Sequence, residues 1–272
     1  MDPFRNRVAV VTGGGSGIGA ALAQAFATRG ARVVLADLDP EAMARTEAVV
    51  RGQGADVLSV PTDVAKRSDV ERLADTAARH FGAVHLVCNN AGIATFGEMA
   101  KAPHEDWEFT MGVNFWGVVH GVEAFVPRLI EQGQGGHVIN TASMAGLVGM
   151  RWLGIYCASK FAVVGLSEAL HRELEPHGIG VSVLCPMIVA TNINENSVRM
   201  RPAHLQPKAP LPPLPPAGSM QGGTVKAEDV AARVVRAIEG KRLYVLTHPE
   251  QREILRRRAA RLDQVFEEFD QA

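Results

Sequence analysis

Residues 8–19 read Val8-Ala9-Val10-Val11-Thr12-Gly13-Gly14-Gly15-Ser16-Gly17-Ile18-Gly19. The first four form a short, continuous apolar run, as expected of a strand buried on both faces of a parallel sheet. Gly13, Gly17 and Gly19 then lead into Ala20–Ala27, which reads as helix. Glycine is needed where a chain turns sharply and where backbone must approach a phosphate with no Cβ in the way. The helix that follows turns unpaired N–H groups and the positive end of its dipole toward that phosphate. The spacing is G-x-x-x-G-x-G rather than the generic G-x-G-x-x-G. Taken alone, it also fits a plain turn joining strand to helix.

Working outward, a second strand, Arg32–Ala36, ends at Asp37. A carboxylate there accepts hydrogen bonds from both ribose hydroxyls of an adenosine and repels a 2′-phosphate. Neither Ser16 nor Leu38 offers a base to such a phosphate, so the residues favour NAD(H) over NADP(H). Asp39, before Pro40, suits a helix cap better than Asp37 does. A third strand (Val57–Val60) precedes Asp63-Val64, and a fourth (Val84–Val87) precedes Asn89-Asn90-Ala91-Gly92. Small polar residues at the carboxyl ends of parallel strands line the ligand crevice. Asp63 serves equally as a cap for a helix starting near Ser68. Further strands are read at His137–Asn140, Val181–Cys185 and Leu243–Leu246, with helices over Ile155–Pro176 and Ala227–Glu239. This alternation predicts βαβ units and one parallel sheet.

Ser143 follows the fifth of these strands, and Tyr156 and Lys160 lie four apart in a helical stretch, on one face. A free phenol titrates near 10, too high for a base at neutrality. A neighbouring ammonium and a cationic nicotinamide both favour the phenolate, and a drop of roughly three units needs about 4 kcal/mol. Such a phenol can exchange a proton with an alcohol or carbonyl while hydride moves to or from a nicotinamide. Ser143 can donate a hydrogen bond to the substrate oxygen as charge builds there. Each residue also has a plainer reading: a buried tyrosine with a satisfied hydroxyl, a solvated lysine, a strand-ending serine. Against these, the chain has only two tyrosines, and Lys160 is followed by Phe161-Ala162-Val163-Val164. Asn114 sits among Val113, Phe115 and Trp116 in a helical stretch where asparagine is a poor former. A core asparagine bonded to a carbonyl is one reading of it.

As a set, Thr12-Gly13…Gly17-Ile18-Gly19, Asp63-Val64, Asn89-Asn90-Ala91-Gly92, Asn114, Ser143, Tyr156…Lys160 and Pro186…Thr191 resemble a short-chain dehydrogenase/reductase over residues 5–192. The resemblance implies an α/β fold: a doubly wound, Rossmann-like parallel sheet flanked by helices, in one domain spanning residues 1–272. It implies a catalytic tetrad at Asn114, Ser143, Tyr156 and Lys160, with Asn114 holding a water that connects Lys160 to solvent. It implies NAD(H) contacts at Gly13, Ser16, Gly17, Ile18, Gly19, Asp37, Asp63, Val64, Asn90, Ala91, Gly92, Tyr156, Lys160, Pro186, Val189 and Thr191. Residues 191–224 would be a substrate-covering loop. A homotetramer, or else a homodimer, would pair the helix from Asn114 to Arg128 and the one from Ile155 across subunits. One departure is Met187, where the family commonly has glycine, and it bears on the pocket beside the nicotinamide.

Residues 202–216 carry seven prolines and exclude regular helix or strand. Leu205, Leu211, Leu214 and Met220, with Phe96, Met144, Leu147, Val148, Met150, Trp152 and Met187, predict an apolar pocket. The substrate expected is a bulky, hydrophobic secondary alcohol or ketone rather than a sugar. Pro249–Phe269 reads as an amphipathic helix whose arginines precede its acids. A net charge of −1 and a pI near 6.8 point to neither nucleic acid nor an anionic membrane surface. With no leader at Met1–Arg5 and no membrane-spanning run, the expected location is cytoplasmic. Cys88, Cys157 and Cys185 show neither metal nor disulfide spacing, and no metal is expected. The competing class is a non-catalytic dinucleotide sensor, or a scaffold docking through Leu-Pro-Pro-Leu-Pro-Pro at 211–216. Epimerisation or dehydration on the same fold is a further option.

Overall fold

Side chains alternate across a strand, and the run at residues 8–11 feeds two cores at once. Val8 and Val10 join a cluster with Val70, Leu73, Phe125 and Leu129, while Ala9 and Val11 join one with Leu22, Phe26, Val230 and Val234. Such a strand must be covered on both faces, which forces a three-layer arrangement. The structure, a computed structural model describing residues 2–206 and 222–270, has this arrangement. Its seven strands are β1 (Val8–Thr12), β2 (Arg32–Asp37), β3 (Val57–Pro61), β4 (Leu86–Asn89), β5 (Gly136–Thr141), β6 (Ile179–Cys185) and β7 (Tyr244–Leu246). All pair in parallel, in the order β3-β2-β1-β4-β5-β6-β7. The direction of winding reverses between β1 and β4, the place where open α/β sheets leave a crevice.

Helices α1 (Gly17–Ala27), α2 (Pro40–Gly52) and α8 (Ala227–Glu239) cover one face. Helices α3 (Arg67–Phe81), α5 (Gly117–Gln132) and α6 (Gly154–Leu174) cover the other. Helix α4 (His104–Met111) runs into α5 through one π-helical turn, Gly112–Trp116, which carries Asn114. Above the crevice lies the short helix α7 (Ile193–Arg199), and α9 (Arg252–Asp270) ends the described chain. Asp39 caps α2, accepting from the N–H groups of Glu41 and Ala42, as its place before Pro40 predicted.

The boundaries differ locally from expectation. The fourth strand is shifted toward its carboxyl end, pairing with β5 from Leu86 to Asn89, and the Asn89 side chain donates to Asn140 Oδ1 at 2.9 Å across the same register. The helix holding Asn114 begins well before it, since the π turn lets α4 and α5 run on as one rod. Asp63 does not cap α3; the capping position is Lys66, and Asp63 Oδ1 instead accepts from Ala65 N at 3.1 Å. Cys88, Cys157 and Cys185 are buried free thiols. Among the described residues no helix is long and apolar enough to cross a membrane.

Candidate active site

The floor of the crevice is made of backbone packed too closely for side chains. A Cβ on Gly13 would stand 2.9 Å from Ala91 Cα, and one on Gly19 would stand 2.0 Å from the Gly13 carbonyl oxygen. Gly13 and Gly17 also take positive φ, 64° and 51°, which glycine adopts without strain. A hydrogen-bond network fixes the strand ends around them. Thr12 Oγ1 accepts from Asn90 N (2.9 Å) and Ala91 N (3.1 Å), and Asn90 Nδ2 donates to Thr12 O (3.0 Å). Ser16 stands at the N-cap of α1 without making a side-chain cap, and the first turn holds no acid. The first N–H groups of α1 are thus left for an anion. These features fit a dinucleotide pyrophosphate. Asp37 ends β2 beside the glycine turn, its carboxylate accepting from Gly15 N at 2.9 Å and Asp39 N at 3.1 Å.

One cleft of ≈ 330 Å³ runs from this turn to the carboxyl end of β5. Gly13, Ser16, Gly17, Ile18, Asp37, Asp63, Val64, Asn90, Ala91, Gly92, Ser143, Tyr156, Lys160, Pro186, Val189 and Thr191 all line it. Two predicted residues do not. Gly19 lies beneath the turn, where its missing side chain lets α1 close on Gly13. Asn114 is fully buried behind the wall. Its Oδ1 accepts from Ile93 N, and its Nδ2 donates to Ile93 O, both at 2.9 Å, and to Ser159 Oγ at 3.2 Å. It is a satisfied core asparagine, as one reading held, yet it also faces Lys160 across Gly92. A Cβ on Gly92 would be 3.4 Å from Asn114 Oδ1 and 3.5 Å from Lys160 Nζ.

Tyr156 and Lys160 rise from one face of α6, one turn apart, with Lys160 Nζ 5.7 Å from the Tyr156 ring centroid. Lys160 Nζ also donates to the Thr141 carbonyl at 2.8 Å, tying α6 to the end of β5. Ser143 sits just past β5, its Oγ donating to Pro186 O at 3.3 Å and accepting from Ala145 N at 3.1 Å. The electrostatics correct the sequence expectation. Burial pushes the Tyr156 phenol up to about 12, and the facing Ser143 hydroxyl only partly opposes this. Burial likewise brings the Lys160 amine down to about 8. Desolvation is therefore the dominant influence on both groups, raising the phenol and lowering the amine.

The roof belongs to α7 and the segment after it. Arg199 pairs with Asp39 at 2.8 Å, Asn196 Nδ2 donates to Ser16 Oγ at 3.4 Å, and Ala94 N donates to Ser197 Oγ at 2.8 Å. Arg201 reaches down to α4, its guanidinium 2.6 Å from Asp106 Oδ1 and 5.2 Å from the Phe109 ring centroid. Both side chains are almost wholly buried, at 2% and 7% exposure.

The substrate half differs from the sequence reading. Phe96, Met150 and Met187 line the cleft as expected. Met144 and Val148 are buried in the core beneath it, and Leu147, Trp152 and Leu205 do not line it. Leu211, Leu214, Met220 and the Leu-Pro-Pro-Leu-Pro-Pro run lie outside the described residues. Phe109, Val113, Leu153 and Met200 line the cleft in their stead, as Leu38 and Thr62 do at the end beside Asp37. Phe109 and Val113, one helical turn apart and just ahead of Asn114, carried a signal in their spacing. Met200 carried none, because the ion pair that places it joins distant parts of the chain.

Residues 7–202 match the short chain dehydrogenase family model. The chain is 35% identical over 260 residues to a C alpha-dehydrogenase of Sphingobium sp. strain SYK-6, covering 93% of this chain and 84% of that protein. It is 38% identical to the 1-deoxy-11-beta-hydroxypentalenate dehydrogenase of Streptomyces exfoliatus, over 93% and 87% of the two chains. Among solved structures, a short-chain dehydrogenase/reductase of Burkholderia phymatum in complex with NAD superposes with a TM-score of 0.90. That protein is 40% identical, with 97% of this chain and 96% of that one covered. With its parallel sheet, its glycine floor and these relatives, the chain belongs to the short-chain dehydrogenase/reductase family of oxidoreductases.

Proposed function

We propose that the protein is an NAD(H)-dependent dehydrogenase/ketoreductase that interconverts a bulky, hydrophobic secondary alcohol and its ketone. The observation that carries this reading is the convergence of Ser143, Tyr156 and Lys160 on a cleft that the glycine turn also lines. When bound, the nicotinamide supplies the hydride acceptor or donor and, in its oxidised form, a positive charge beside the phenol. Gly13, Ser16, Gly17 and Ile18 hold the pyrophosphate, with Gly19 permitting the turn. Asp37 takes the adenosine ribose hydroxyls, Asp63 and Val64 flank the adenine, and Asn90, Ala91, Gly92, Pro186, Val189 and Thr191 line the remainder. Among the described residues no lysine or arginine lines the cleft at that end, and Arg199 above it is paired with Asp39, which supports NAD over NADP.

Ser143 Oγ donates to the substrate oxygen, and the Tyr156 hydroxyl gives that oxygen a proton in reduction or takes it in oxidation. A phenol held near 12 is suited to donate; to accept, it must be brought down by the positive charges that gather beside it. Lys160 supplies one of these and anchors the ribose. The gap at Gly92 between Asn114 Oδ1 and Lys160 Nζ suits a water able to carry the proton onward. The apolar lining of Phe96, Phe109, Val113, Met150, Leu153 and Met200 favours aryl or alicyclic substrates over sugars.

In this reading residues 1–272 act as one cofactor-binding and catalytic domain, with 191–224 covering substrate and 249–270 forming a terminal helix. The domain works as a cytoplasmic homotetramer or homodimer. The test is nicotinamide absorbance with a panel of aryl, alicyclic and sugar alcohols, using either cofactor. Aryl or alicyclic turnover with NAD is expected, falling about 10²–10⁴-fold in Tyr156→Phe. Equal rates from Tyr156→Phe, or turnover of sugars alone, would overturn the assignment.

A further inference from the structure

Helix α9 is placed as no monomer needs it. Arg258 stacks over Phe161 of α6, 5.5 Å from the ring centroid, and beyond it every described side chain is exposed. Yet Leu255, Ala259, Leu262, Val265, Phe266 and Phe269 recur at three- and four-residue steps, an apolar stripe along one face. Phe266 and Phe269 are 69% and 73% exposed. A stripe of large apolar side chains held in water marks an interaction surface.

The charges say what covers it. Residues 252–261 hold five arginines and one glutamate; residues 262–270 hold four carboxylates and no base. This order opposes the helix's own dipole, which favours acids at the start and bases at the end. The helix as a whole is neutral, so it lacks the basic excess that draws amphipathic helices to anionic lipid. An antiparallel partner of the same sequence resolves the conflict, setting each basic half beside an acidic half under two-fold symmetry. About an axis near Leu262 the stripe is also self-complementary, with Leu255 opposite the second copy's Phe269 and Ala259 opposite its Val265.

We propose that α9 pairs antiparallel with α9 of a second copy of this chain, the axis passing near Leu262. The inference rests on the self-association proposed above and names a contact within it. The test is oxidative cross-linking of full-length single-cysteine additions, against a background in which the three native cysteines are buried. Leu262→Cys is expected to cross-link to itself. Leu255→Cys and Phe269→Cys, whose copies would lie roughly 20 Å apart by helical rise, are expected to cross-link when mixed and not separately. Phe266→Glu in the Leu262→Cys chain should abolish the product. Self-linking of Phe269→Cys without the mixed product would mean parallel pairing and overturn the proposal. So would no link at Leu262 in a chain that sedimentation velocity shows to be oligomeric, an outcome that leaves self-association standing. A monomer at all concentrations would remove both, and capture by phosphatidylserine-containing vesicles would reassign the helix to membrane.

Discussion

The floor and the roof of the cleft are built on opposite principles. The floor is backbone against backbone where the ends of neighbouring strands meet, Gly13 against Ala91 and Gly19 against Gly13, with contacts so tight that only glycine fits. The roof is side chain against side chain, Arg199 to Asp39 and Arg201 to Asp106, across long stretches of chain. A floor of this kind admits no added side chain, whereas the roof depends on a few ionic contacts that single substitutions can remove. That division suits an enzyme that must hold one cofactor firmly while passing substrate and product.

The largest expected effect strikes the roof. Asp106→Asn leaves the Arg201 guanidinium buried beside Phe109 without its counter-charge, at a cost of about 3–5 kcal/mol in denaturant unfolding. The double change with Arg201→Met should recover most of the loss. Because Met200 and Phe109 line the substrate half, the surviving Asp106→Asn enzyme should show a raised KM for substrate and unchanged cofactor affinity. Loss of cofactor affinity instead would mean that the Arg201 contact, like Arg199, bears on the cofactor half of the cleft.

Between floor and roof, Lys160 should show the cost of a buried amine. Its folded value of about 8 lies below the unfolded value of 10.5. The unfolded chain therefore binds more protons between those values, and stability rises with pH across that window. The contribution is present above 10.5 and lost as pH falls through 8, about 3 kcal/mol in all. Lys160→Met should remove this rise in the cofactor-free protein and abolish turnover. An unchanged pH dependence of unfolding would show that the amine is not desolvated.

The complementary break is in the floor. In Gly19→Ala the new Cβ meets the Gly13 carbonyl, forcing the turn to shift at a cost of about 1–3 kcal/mol. Here cofactor affinity should collapse in fluorescence titration, the reverse of the pattern for Asp106→Asn. The smallest effect is expected for Arg199→Met, whose partner Asp39 is buried while the arginine is half exposed. Stability should change by about 0–1 kcal/mol, yet reduced cofactor should dissociate several-fold faster in stopped flow. The Asp39 carboxyl is lowered first by the Ala42 N–H and then by Arg199. Its contribution is present above the ordinary carboxylate range and is lost only as pH falls through the lowered value. The latch should accordingly hold at every pH where the enzyme works, and an effect appearing near neutrality would point elsewhere.

The same contrast explains which parts of the molecule could be read in advance. Strand β1, the glycine turn and Asp37 follow one another within 30 residues, and each is dictated by local chemistry: apolar runs, φ, Cβ volume, a carboxylate at a strand end. The pairing of Tyr156 with Lys160 needed only helical periodicity. By contrast, Met144 and Val148 looked like pocket residues from composition and proved to be core, since a segment with no sustained helix or strand period gives no face to read. The Tyr156 phenol failed in a related way. Its charged neighbour was visible, but the depth of its burial was not, and burial was the larger effect.

The amino-acid order alone thus determined the parallel sheet, the glycine turn after its first strand and the pairing of Tyr156 with Lys160 on one helix face, because strand and helix periods act over a few residues. Only the tertiary structure decided which apolar side chains line the cleft, that Arg199 and Arg201 clamp its roof, and in which direction burial moves the phenol and amine from their ordinary ionisation. Those outcomes depend on packing between distant segments, and desolvation is a property of everything that surrounds a group rather than of its neighbours in the chain.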